Sequence, residues 1–168
     1  MTHYRQNMLA KLADREPLDV FAATPAALRT LVEPVPVDVL RRRPYADRWT
    51  WTPLEIVGHL VDVEWTLGWR TRTTLCDDEP RIMGMDQEKW VAAQRHNDAD
   101  PRKLLEDFDV LRGINLRLWR SLTPGQLQRY GTHSERGRET LDQLLRMYAG
   151  HDLAHLDQIR KYLGALQG

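Results

Sequence analysis

The chain has 168 residues, enough for one domain with a real core. Its 24 basic and 24 acidic side chains cancel, which removes the electrostatic footprint of a nucleic-acid binder and any pull toward an anionic membrane surface. No apolar run approaches the ~20 residues that span a bilayer, the N-terminal MTHYRQNMLAKLADRE lacks a signal-peptide core, and the single cysteine, Cys76, allows no intrachain disulfide framework, so a cytoplasmic protein is the default expectation. Cys76 itself reads as a small buried apolar side chain ahead of a nucleophile.

Residues 1–168 are expected to form a single domain, with 1–16 a loosely tied arm or a short helix. Thr24-Pro25 reads as an N-cap followed by proline at the first helical position, opening a helix through about Val32. Pro34, Pro36 and Pro44 make 33–47 a connection. Thr52-Pro53-Leu54-Glu55 combines a capping box with Pro at N1, and the helix it opens runs to about Cys76. Its apolar positions cover more than one side.

Residues 77–99 are polar and form a long excursion with one short helix near Trp90. A loop of this length is expected to border a functional site. Asp100-Pro101 starts a third long helix, with Leu104, Phe108, Leu111, Leu118 and Leu122 at helical spacing. Thr123-Pro124-Gly125 ends it. Residues 126–139 connect to a last helix, which Thr140 caps with Gln143 at the reciprocal position and Gly164 stops. No strand alternation is evident. The expected class is all-α, an irregular four-helix bundle.

Six histidines occur, at 3, 59, 96, 133, 151 and 155. His151 and His155 are four apart, which stacks both rings on one helix face at roughly 6 Å. That spacing lets one ion accept both imidazoles. His59 lies mid-way along another helix, beside Gly58, which would permit a close approach. The alternative reading is three hydrogen-bonded core histidines. Asp62 could orient a ligand ring by accepting its second N–H, with Gln158 and Tyr148 as further supports. Glu55, Thr66 and Arg70 share the His59 face. His133 could enter a site mouth beside Glu135, and His3 and His96 read as solvent-exposed.

The stretches WTPLEIVGHLVDVE (51–64) and HDLAHLDQI (151–159), with HNDADP (96–101) and HSERGRETL (133–141) between them, resemble the DinB/YfiT-like superfamily, a group regarded as metalloenzymes. The likeness covers the chain from about Leu18. It implies a bundle of up-down-down-up type with two long crossing connections, and one divalent ion on His59, His151 and His155. It also implies that homodimers are common and that some relatives act on low-molecular-weight thiols such as mycothiol or bacillithiol.

A three-ligand site keeps a position open for water or substrate. An activated water would give hydrolysis of a small molecule; an activated thiol would give S-transfer. The other class is a non-catalytic or stress-associated metal-binding protein with a structural ion. The ion is expected to be zinc or nickel, with iron or manganese as further candidates. Its binding is expected to weaken as pH falls through ~6.5. Trp65, Trp69 and Trp119 suggest a two-fold homodimer packed through helices.

Overall fold

The computed structural model describes residues 3–45, 47 and 50–167. Four long helices form the bundle: α2 (Pro17–Val32), α4 (Pro53–Cys76), α6 (Pro101–Ser121) and α8 (Leu141–Gln167). Shorter elements decorate it: α1 (His3–Leu12), α3 (Val37–Leu40), β1 (Arg81–Ile82), α5 (Gln87–Ala93), a 3-10 turn (His96–Asp98), α7 (Pro124–Leu127), β2 (Tyr130–His133) and β3 (Gly137–Thr140).

Helix directions follow from side-chain pairs. Phe21 and Arg29 of α2 meet Arg112 and Asp109 of α6, so these two run antiparallel. One apolar cluster joins Leu28 to Leu54–Leu60, Leu104–Phe108 and Leu156–Leu163; the other joins Phe21 to Val63–Leu67, Trp119 and Leu141–Ala149. Hence α4 parallels α6, α8 parallels α2, and the bundle is up-down-down-up. Each fully buried Leu or Phe in these clusters contributes about 1.5–3 kcal/mol. Along α8 the buried apolar members of the clusters break between Ala149 and Leu156, and the break holds His151, Asp152 and His155 beside the half-buried Leu153.

The capping signals at Thr52 and Thr140 form as expected. Thr24-Pro25 does not start a helix. Helix α2 begins at Pro17 and Pro25 lies inside it. Proline has no N–H for the carbonyl four residues back. The freed Phe21 carbonyl accepts from Arg112 Nη1 at 3.0 Å, and Thr24 Oγ1 turns back to Val20 O at 2.8 Å. Arg112 is also paired with Glu64 and Asp152, both at 2.7 Å, while Asn115 Nδ2 donates to Glu64 Oε2 at 3.0 Å. Burial opposes the Arg112 charge, but Asp152 and Glu64 outweigh it and hold its pKa above the usual value.

A second correction is the small sheet β1-β2-β3, parallel then antiparallel. Strands of two to four residues are too short to show alternation in a sequence. Gly137, at φ 72°, makes the turn of the β2–β3 hairpin. The N-terminal segment is a helix seated on α8: a Cβ at Gly150 would lie 2.6 Å from the Met8 carbonyl carbon, and Arg5 pairs with Glu139 at 2.7 Å. Helix α8 passes Gly164 and ends at Gln167. Cys76 is exposed at the end of α4, not buried.

Candidate metal centre

His59 comes from the middle of α4, and His151 and His155 from successive turns of α8. Their ligand-capable nitrogens all lie within 4.8 Å of one another, the arrangement a single ion needs. His151 Nε2 is 3.2 Å from His59 Nε2 and 3.0 Å from His155 Nε2. One hydrogen on His151 Nε2 can serve only one of these neighbours, so protons alone do not satisfy the cluster.

All three rings are held neutral. Burial, then His155 and His96, push His59 down to about 2. Burial sets His155 at about 4 against the opposing effect of Gln158. Burial, then His155, His59 and Arg112, hold His151 well below its usual value. Neutral rings have lone pairs available for a cation.

The expected supporting residues divide. Gln158 Oε1 accepts from His155 Nδ1 at 2.8 Å, and Gln158 Nε2 donates to Tyr162 Oη at 3.0 Å. This puts the His155 proton on Nδ1 and turns the Nε2 lone pair to the cluster. The Tyr148 ring stands 5.9 Å from that of His151. Asp62 is committed elsewhere: its oxygens take His96 Nε2 at 2.9 Å and Gln94 Nε2 at 2.7 Å.

His96, expected in solvent, is buried. The visitor that Gly58 admits is this ring, since a Cβ at 58 would lie 2.6 Å from His96 Cβ. His3 is exposed as expected. His133 lies buried in β2.

Sequence reasoning gave no role to Trp51. Its ring lies 4.7 Å from His59 and 6.3 Å from His155, and its Nε1 donates to Glu88 Oε2 at 3.1 Å. Through Glu88 the long excursion meets Trp51, the ring beside His59 and His155. Its signal was position: Trp51 stands just before the Thr52 cap, at the mouth of the helix bearing His59.

A four-helix bundle with three histidines converging from two of its helices defines the class of this protein. The chain belongs to the DinB superfamily, whose family model matches residues 21–159. It is similar to "Putative metal-dependent hydrolase YfiT" of Bacillus subtilis, with 29% identity over 151 residues, 88% of this chain and 84% of that protein. The solved YfiT structure, described as a probable metal-dependent hydrolase with an unusual four-helix bundle topology, matches with TM-score 0.79 and 26% identity over 88% of this chain and 86% of that one. The fold is also shared with a mycothiol-dependent maleylpyruvate isomerase, at TM-score 0.61 and 11% identity over 99% of this chain and 63% of that one.

Proposed function

We propose that this chain is a metal-dependent hydrolase of a small molecule, with one divalent ion held by the Nε2 atoms of His59, His151 and His155. The observation that carries the reading is the convergence of three neutral imidazole nitrogens, two pairs of them 3.0 and 3.2 Å apart. Tetrahedral ligands at ~2.0–2.1 Å from zinc would stand ~3.3 Å from each other. Zinc and nickel suit such a donor set, and iron or manganese would be held less firmly. An ion on three imidazoles supplies Lewis-acid chemistry at its remaining position.

The chain's own residues do the rest. Gln158 fixes the His155 tautomer, and Tyr162 holds Gln158. Trp51 covers the His59 and His155 rings and is itself held by Glu88. Tyr148 packs on His151. Similarity to YfiT supports hydrolysis over S-transfer. Elemental analysis of protein purified without a nickel column, followed by paired screens for ester and amide hydrolysis and for thiol conjugation, tests the reading. One bound ion and hydrolysis that a chelator abolishes are expected. Conjugation of a low-molecular-weight thiol without hydrolysis would replace hydrolase by transferase. A bound ion with neither activity would leave a structural metal protein.

A further inference from the structure

A cation buried without a counter-charge is costly, and an anionic ligand relieves that cost. Arg70 of α4 is 4% exposed. Its Nη1 donates to the Tyr148 hydroxyl and its Nη2 to the Met83 carbonyl at 2.9 Å, both neutral acceptors. Its Nε is buried with no partner. Among the described residues, no carboxylate lies within ion-pair range of Arg70. The buried Arg5 and Arg112, by contrast, face Glu139 and the pair Glu64 and Asp152.

A second unmet donor lies nearby. His133 Nδ1 accepts the Glu135 N–H at 3.1 Å, which leaves the ring proton on Nε2. That Nε2 is buried without a partner. Burial, then the charges of Arg136 and Arg70, hold His133 neutral down to about 4.

Arg70 also lines two cavities. The larger, about 770 Å³, is walled by Trp65, Trp69, Met83 and Trp90 and reaches Asp62. The smaller, about 390 Å³, is lined by Arg136, Tyr4 and Tyr148, with the carboxylates of Asp86 and Glu135 beyond ion-pair range of Arg70. From Arg70 back to Asp62 is eight residues of α4, or about 12 Å, ending one turn from His59.

We propose that Arg70 receives the anionic head, a carboxylate or a phosphate, of an amphipathic small-molecule substrate whose apolar body lies against Trp65, Trp69, Met83 and Trp90. This rests on the histidine cluster being the reacting centre. The head would then sit at Arg70, and the reacting centre would lie one turn of α4 beyond Asp62, the lining residue at the other end of the cavity. Tyr148 ties the two ends together, with its hydroxyl on Arg70 and its ring 5.9 Å from that of His151.

Titration calorimetry of the metal-loaded protein with phenylbutyrate, phenyl phosphate and neutral phenylbutanol tests the proposal. At least one anion should bind about tenfold or more tightly than the alcohol, and which one does so separates carboxylate from phosphate. Arg70→Gln should erase the preference while leaving alcohol affinity and metal content unchanged. Met83→Glu brings a negative charge to the exposed rim, should weaken the anions more than the alcohol, and serves if Arg70→Gln fails to fold. Equal affinity for alcohol and anions, or a preference that survives these variants, overturns the proposal. Elemental analysis of the same samples separates the two readings. Metal-filled protein with no anion preference sinks this proposal alone, and an anion preference in protein shown never to hold metal sinks the metal reading alone.

Discussion

His155 Nδ1 and Gln158 Oε1 stand 2.8 Å apart on adjacent turns of α8, and the contact decides which ring nitrogen of His155 carries the proton. An amide oxygen can only accept, so Nε2 is left bare and directed at His151. Gln158→Ala should therefore lower metal affinity by about 10–100-fold, measured by competition with a chromophoric chelator. Nitrogen NMR of the metal-free protein should show His155 shifting toward a mixture of tautomers. Unchanged affinity would mean that the glutamine only fills space.

Alanine in place of His59, His151 or His155 should strip the protein of its ion, whereas His3→Ala should not. Removing the ion from the wild type should lower its melting temperature, because a ligand that binds only the folded state stabilises it by mass action. Full occupancy at neutral pH in His155→Ala protein would refute the site. His96→Ala should keep the ion yet cost about 1–3 kcal/mol, since it leaves buried Asp62 with Gln94 alone; denaturant titration measures that loss.

The pH dependence follows from burial. The folded-state value of His133 is about 4, below its ordinary 6.5, so between those two the unfolded chain binds more protons. Stability should be complete above pH 6.5 and should fall steadily as pH drops toward 4. The histidines of the cluster act in the same direction in metal-free protein. His133→Gln should flatten part of the slope in urea titrations across this range. Because the fold itself keeps the cluster neutral, ion release should begin below the ~6.5 of a free imidazole; release centred there would show that burial does not protect these rings.

Gly150→Ala should loosen α1. The Met8 carbonyl occupies the space a side chain would need, so the helix must lift or α8 must shift. A loss of about 1–3 kcal/mol is expected, with faster amide exchange confined to residues 3–12. Unaltered exchange there would show that the N-terminal helix yields without cost.

We expect a two-fold homodimer, but on a smaller basis than three tryptophans. Trp119 is buried, and the exposed Trp65 and Trp69 line the larger cavity. What stays exposed on α6 is Val110 and Ile114, one turn apart. Light scattering at micromolar concentration should give twice the 19.6 kDa chain mass, and Ile114→Glu should halve it. Monomer mass for the wild type would remove the claim.

Much of the bundle and the three histidines was legible because caps and helical spacing are local signals. Thr52 with Glu55, Asp100 with Pro101, and Thr140 with Gln143 each announce a helix within four residues. Pro25 misled for the same reason: its tolerance inside α2 depends on Arg112, 87 residues further on in the chain, supplying the missing donor. The burial of His96 depends on its meeting Gly58 and Asp62 across the fold. Arg70 could be placed on the His59 face from spacing, but the lack of a carboxylate beside it appears only once every neighbour is in place.

The seating of His96 against Gly58 bears on binding kinetics. Hydrogen bonds from His96 and Gln94 to Asp62 fasten the end of α5 and the turn after it to α4, and a bond from Trp51, just before the α4 cap, holds Glu88 of α5. The larger cavity thus has a standing wall, shaped before any ligand arrives. Capture should then follow a single exponential whose rate rises linearly with ligand concentration, without the plateau of a gated entry, and differences in affinity among ligands should appear mainly as differences in residence time.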